Sequence, residues 1–278
     1  MTEPAVLLRK PVPPQASLHY GGHPDQVVDL WFPPDDRGAP IVVLLHGGFW
    51  RQAYDRRHLS GLAAYLSARG AVAASVEYRR VGGAGGWPAT FDDVAWAVDA
   101  APSLVGDACR HADRSRVTLL GHSAGGHLAL WAAARHRLLT TSRWHRPDPP
   151  AVASVVAVAP VADLVLADRL GLSDHAVAAL LGGGQRSGGE DSDQVRRTGR
   201  IAEADPVGLL PTGIPTTLVH GAADTIVPVA LSERFAAAAR RAGDQTDLVI
   251  LDGVDHFEPI DPATAAADAV ARAVLGAR

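Results

Sequence analysis

Three short motifs in this chain have residue types and spacings that suit nucleophilic chemistry. Gly121-His122-Ser123-Ala124-Gly125 has the G-x-S-x-G pattern, in which a serine sits on a sharp turn from strand to helix. The apolar run Val117 to Leu120 precedes it and a helical pattern opens at Ala124, which is the context such a turn requires. Small residues two positions either side let the chain reverse, and the hydroxyl then stands clear of the sheet beside a helix N-terminus. The competing account is a plain N-cap serine with convenient glycines. The flanking strand and helix favour the nucleophile.

A serine nucleophile needs a base, and the base needs an acid to orient it. In alternating strand–helix chains with this turn the order is serine, acid, histidine. Asp224 follows the run Thr216 to His220 in a Gly/Ala turn, and His256 follows the run Leu248 to Leu251 in Val254-Asp255-His256-Phe257. Ser123, Asp224 and His256 would thus occupy three strand ends on one edge of a sheet. Asp163 is the reserve acid. His220 reads as buried scaffold. His122 and His127 read as pointing along the elbow and helix, away from the cleft. Asp252 and Asp255 lie too close in sequence to His256 to orient its ring from behind.

An oxyanion needs backbone donors. Ala124 supplies one at the elbow. His46-Gly47-Gly48-Phe49-Trp50 follows the strand Ile41 to Leu45, and Gly48 and Phe49 are the candidates for the second donor. Trp50 and Trp87 are candidates to line an aromatic substrate site, with core packing as the alternative for each.

The elements that must hold these residues alternate along the chain. Strands are expected at Val27 to Phe32 (an edge strand stopped by two prolines), Ile41 to Leu45, Ala71 to Tyr78, Val117 to Leu120, Val152 to Ala159, Thr216 to His220 and Asp247 to Leu251. Helices are expected at His58 to Ala68, Thr90 to Leu104, Ala124 to Leu139, Val229 to Arg241 and Pro262 to Leu275. That alternation means crossover units and a mainly parallel sheet. A (β/α)8 barrel is the competitor at this length. The long stretch 160–213, with short helical pieces at Asp163 to Arg169 and His175 to Leu181, argues against it and reads as a small cap or lid. Gly182 to Arg200 reads as a mobile surface loop. Residues 1–40 read as an extended lead-in to a single domain spanning 1–278.

Composition excludes several other classes. With 26 basic and 30 acidic residues the net charge is −4, a poor match for a phosphate backbone. Cys109 is the one cysteine, so multi-thiolate metal sites and disulfides are out, and a reducing compartment fits. Lys10 is the one lysine and lies between Arg9 and Pro11, which removes a Walker loop and leaves no suitable Schiff-base lysine. No signal peptide or membrane span is visible. The expectations are a cytoplasmic chain with no cofactor, no metal, no nucleic-acid or membrane partner, a small-molecule substrate, and a homodimer left open.

HGGFW, GHSAGG and VDHFE together resemble the α/β-hydrolase fold, and within it kynurenine formamidase (arylformamidase) and its esterase relatives. His46 to Trp50 matches that family's H-G-G-x-W oxyanion motif, Gly121 to Leu128 resembles its nucleophile motif, and Val254 to Phe257 resembles the context of its catalytic histidine. The resemblance implies Ser123 as nucleophile and His256 as base, and more loosely Asp224 as acid. Hormone-sensitive-lipase-type esterases differ in having a third glycine at 49 and a D-Y-R-x-x-P-E pattern where this chain has Glu77 to Gly82. The first substrate implied is a small arylformamide such as N-formylkynurenine, the second a short-chain carboxylic ester. A fold member that binds a ligand without turnover is the third reading.

Overall fold

A computed structural model describes residues 4–182 and 198–276. Eight strands form one sheet: β1 (Ala16–His19), β2 (Val27–Trp31), β3 (Pro40–Leu45), β4 (Val72–Val76), β5 (Asp113–His122), β6 (Ser154–Val158), β7 (Thr216–Gly221) and β8 (Thr246–Leu251). Their order across the sheet is β1-β2-β4-β3-β5-β6-β7-β8. β1 and β2 run antiparallel to their neighbours, and every pair from β4 to β8 is parallel. The sheet is open, so the barrel alternative falls. β2 is flanked on both sides, and the edge belongs to β1. That strand is short and carries no apolar run, so it gives no pattern to read.

The helices are α1 (Ala5–Leu8), α2 (Ser60–Ala68), α3 (Ala89–Ala108), α4 (Ala124–Ala133), α5 (Leu164–Arg169), α6 (Leu172–Leu180), α7 (Ala230–Ala242) and α8 (Ala266–Leu275), with a further helical segment at 198–204. β3 shows why the parallel strands read as continuous apolar runs. Ile41, Val43 and Leu45 face one core layer, and Val42 and Leu44 face the other. Both faces are covered, as parallel sheets require. The first layer is closed by α3, α4 and α7 through Phe91, Leu128, Trp131, Leu231 and Phe235. The second is closed by α2 and α8 through Leu62, Leu66 and Val270, with Val6 of α1 added. α3 runs on through Pro102 to Ala108. α4 stops at Ala133, earlier than its pattern suggests, and passes into a short 3-10 turn, Arg135–Arg137.

The chain reverses its direction across the sheet at β3, which has β4 on one side and β5 on the other. Loops leaving the carboxyl ends of strands diverge at such a switch point and leave a crevice there. Leu45 pairs with Gly121 at that edge, so the loop at 46–50 and the elbow at Ser123 are neighbours by register. In the interrupting stretch, α5 and α6 occupy the two positions expected for short helices. The loop expectation for Gly182 to Arg200 falls almost wholly on residues 183–197, outside the described residues. Among the described residues no helix is long and apolar enough to cross a membrane.

The elbow depends on contacts between backbones. A Cβ on Gly125 would overlap the carbonyl oxygens of Leu45 and His46, whereas one on Gly22 meets nothing within 4 Å. Gly125→Ala should therefore destabilise the fold by about 3 kcal/mol or more. Gly22→Ala should stay within about 0.5 kcal/mol of the parent. Denaturant midpoints of the two variants check this, and a normal midpoint for Gly125→Ala would contradict it.

Candidate active site

Ser123 has φ 55° and ψ −119°, a conformation that L-residues hold only when the surroundings impose it. Those surroundings are visible. Its N–H donates to Val158 O of β6 at 2.8 Å, and its carbonyl accepts from His127 and Val161. Gly121 and Gly125 lie so close that a side chain on the first would overlap the backbone of the second. Ser123 lines a cleft of about 160 Å³ together with Gly48, Phe49, His122 and His256.

The loop after β8 carries His256 into the same cleft. Gly221 ends β7 with its Cα so close to the Val254 and Asp255 carbonyls that no Cβ would fit. The β8 loop therefore passes directly over the end of β7. Asp255 shapes that loop, accepting from the N–H groups of Phe257 and Glu258 at 2.7 and 2.9 Å. The result is a bond of 2.6 Å between His256 Nδ1 and Asp224 Oδ2.

Asp224 is buried and fully bonded. Its Oδ1 accepts from the Ile226 and Val227 amides at 2.8 and 2.9 Å. Its Oδ2 takes His256 and, at 3.1 Å, His220 Nε2. Burial by itself would raise this carboxyl's pKa. The hydrogen bonds from His220 and His256, the His256 charge and the Val227 amide outweigh burial and hold it well below the usual carboxylate range. His220 is thus more than scaffold. Its Nε2 faces both Asp224 and the Val227 carbonyl (2.9 Å), and its Nδ1 faces Ser232 Oγ at 2.7 Å. The four-residue spacing of His220 and Asp224 across a strand end was the available signal. The reserve acid, Asp163, is engaged elsewhere. It caps α5 through the Leu166 amide (2.7 Å) and pairs with Arg234 (2.9 Å).

The loop after β3 is equally constrained. Gly48, Phe49 and Trp50 all have positive φ (101°, 49° and 58°), which for the two non-glycine residues costs roughly 1–2 kcal/mol each. Backbone bonds hold the turn: Arg51 N to Gly48 O, Val81 N to Trp50 O and Gln52 N to Val81 O, at 2.8 to 3.0 Å. His46 beneath it is buried, stacked on Tyr78 at 4.3 Å, with Nε2 on Glu77 Oε1 and Nδ1 on Gly47 O, both at 2.8 Å. Arg56 links Glu77 onward to Asp29 of β2. Gly48 and Phe49 line the cleft, and Ala124 opens α4, where first-turn amides have no helical acceptor.

Three placements differ from expectation. Trp50 lies in the core against His127, fully buried, and Trp87 packs with Phe91 and Trp144 at 5.2 and 4.7 Å. Neither lines the cleft: the positive-φ turn at 49–50 leaves the Phe49 ring on the cleft and the Trp50 ring in the core, and Trp87 is taken up by its packing with Phe91 and Trp144. His122, expected to point away, lines the cleft. Its Nε2 donates to the His256 carbonyl at 3.0 Å, and its ring lies 4.7 Å from that of His256. Burial, followed by the His256 and His58 charges, pushes the His122 pKa down, and burial and the His46 charge lower that of His58 to about 3. Both neighbours of His256 therefore stay neutral at ordinary pH. Among the described residues no group of three or more His, Cys, Asp or Glu is arranged to hold a metal ion.

A strained serine at the switch point of a mainly parallel sheet, between helical layers, is the arrangement of the α/β-hydrolase fold, and solved structures superpose on the chain accordingly. A truncated carbohydrate esterase from gut microbiota aligns with a TM-score of 0.74 at 20% identity, covering 96% of this chain and 98% of that one. Esterase B from Lactobacillus rhamnosis, inhibited by a tributyrin phosphonate, aligns with a TM-score of 0.77 at 18% identity, covering 98% and 87%. Within that fold the chain belongs to the BD-FAE family, which it matches over residues 28–238. Curated relatives include the esterase LipQ of Mycobacterium tuberculosis, 27% identical over 83% of this chain and 54% of its own length. A probable isoprenylcysteine alpha-carbonyl methylesterase of Oryza sativa is 28% identical over 87% of this chain and 56% of its own. The chain thus spans little more than half the length of these relatives.

The loop's electrostatics can be tested by pH. Burial by itself would raise the Glu77 pKa, but the His46 charge and hydrogen bond, with Arg80 and the Arg56 amide, lower it to about 2. A folded value below the unfolded one means stability present above about pH 4.5 and lost as pH falls towards 2. The contribution is roughly 3 kcal/mol. Glu77→Gln should be less stable at pH 7, and its stability curve should converge on wild type as pH drops. Urea titrations between pH 7 and 2.5 that stay parallel would exclude this role.

Proposed function

We propose that the chain is a carboxylesterase that hydrolyses small esters through an acyl-enzyme on Ser123. One observation carries the reading: the strained Ser123 shares a cleft with His256, whose far nitrogen is bound at 2.6 Å to the buried, fully bonded Asp224. His256 takes the proton from Ser123 as the hydroxyl attacks the ester carbonyl. Asp224, held ionised, fixes the tautomer with Nδ1–H outward and Nε2 free, and stabilises the imidazolium. Backbone N–H groups of Gly48, Phe49 and Ala124 receive the oxyanion. His256 then protonates the leaving alcohol, and water completes the cycle by the same steps in reverse.

The relatives support an ester over an amide: LipQ and LipC of Mycobacterium tuberculosis are named as esterases, and the plant relatives as methylesterases. The arylformamide expectation leaned on Trp50, and that ring is in the core. Without it, nothing in the cleft favours a formamide, so the short-chain ester takes first place. The cleft's apolar walls, Phe49, Ile226 and Phe257, suit acyl groups of a few carbons.

Parallel rates on p-nitrophenyl acetate, butyrate, hexanoate and octanoate, and on N-formylkynurenine, test this. The short esters should be turned over and the rate should fall along the series, in graded steps of at most ~1–3 kcal/mol per methylene. Turnover of N-formylkynurenine with inert esters would restore the formamidase reading. Ser123→Ala should lose kcat by about 10⁶ and fail to react with a fluorophosphonate probe. Asp224→Asn should lose about 10⁴ with the fold intact. If Asp163→Asn produced that loss instead, the acid would be misassigned.

A further inference from the structure

Among the described residues, Arg51 is the one side chain of permanent charge lining the cleft, and no carboxylate lines it. That is unlike the chain as a whole, where acids outnumber bases by 30 to 26. It is also unlike four arginines buried or half-buried in the fold. Arg56 pairs with Asp29, Arg79 with Asp93, Arg80 with Asp25 and Glu77, and Arg135 with Asp99. Among the described residues Arg51 has no such partner. Its Nη2 donates to the backbone carbonyls of Ser173 and of Asp174, the latter at 3.3 Å. Those carbonyls are neutral acceptors and leave the guanidinium charge uncompensated.

The placement of this charge is fixed. The Arg51 amide donates to Gly48 O at 3.0 Å, and Arg51 forms an isolated parallel bridge with Val81. It therefore follows the proposed oxyanion donors by two or three residues in a turn that cannot drift. The far end of its side chain is held at Ser173, itself a wall of the cleft. A half-buried guanidinium between apolar walls favours a counter-charge, and its planar fork of donors matches a carboxylate.

We propose that Arg51 makes this site selective for small esters that carry a carboxylate, with that carboxylate bound by the guanidinium while the ester carbonyl lies at Ser123. The proposal rests on the ester reading above and adds the charge of the substrate to it.

The test compares charged esters with uncharged counterparts of the same shape. Monomethyl succinate carries the carboxylate on the acyl part and 4-acetoxybutyrate on the alcohol part. Their primary amides serve as the neutral partners. Wild type should prefer at least one acid over its amide by about ten- to a hundredfold in kcat/KM. Arg51→Gln should bring that ratio close to one, and Arg51→Lys should keep part of it. Equal rates for acid and amide in wild type would overturn the proposal. So would an Arg51→Gln variant that slows acid and amide in the same proportion, since Arg51 would then only tie down Ser173. A second measurement needs no turnover: succinate, compared with succinamide, should raise the Tm of wild type but not of Arg51→Gln. If succinate stabilises wild type alone while every ester is inert, the ester reading fails and the anion site stands. If p-nitrophenyl acetate is hydrolysed without either selectivity, the ester reading stands and the anion site fails.

Discussion

The close approach of backbones around Ser123 is the constraint from which the rest of the site follows. A serine at φ 55° is stable only because β5 runs to the very edge of the sheet and α4 begins at once. Gly121 and Gly125 remove the side chains that would collide. Once that turn is made, the β3 loop must pass over Gly125, and the β8 loop must pass over Gly221. Each crossing is a glycine whose missing Cβ is occupied by another segment's carbonyl. The three loops are thereby stacked on a rigid sheet edge, which is how groups from distant parts of the sequence can be held to a fraction of an ångström.

Buried acids are handled in the same way on the two sides of this edge. Asp224 keeps its ionised form through four hydrogen bonds, two from backbone amides and two from histidines. Glu77, under the β3 loop, does the same with His46, Arg56 and Arg80. Both carboxylates are buried and both are saturated, the condition under which buried charge adds rigidity rather than a penalty. The imidazoles nearest His256 are neutral. Arg51 alone stands in the cleft without a carboxylate, which makes it the feature hardest to explain by folding.

How much of this was legible in the sequence follows from what kind of signal each feature leaves. The strands buried on both faces are continuous apolar runs, so β3 to β8 were readable, as was the elbow, where sterics demand particular small residues. Asp224 and His256 were readable as residues just beyond strand ends. β1 was not, because four residues that alternate in exposure leave no run. The directions of Trp50 and His122 were not readable either. They depend on three consecutive left-handed residues at 48–50 and on the path of the β8 loop, both tertiary effects that no local pattern encodes. His220 looked like scaffold because its partner lies across a turn and becomes adjacent only after the chain folds back. The proposed order of ester over formamide draws on the relatives and on Trp50, whose burial follows from the same backbone turn.

Leu7, from α1, forms part of the cleft wall, while Val6 beside it is buried under the sheet and Arg9 is tied to Asp261 at 2.8 Å. None of these residues belongs to the sheet or to the stacked loops. The cleft is therefore walled partly by the stacked loops and partly by a helix from the amino-terminal segment. A change at Leu7 would accordingly reshape one wall of the cleft while leaving the bond between His256 and Asp224 in place.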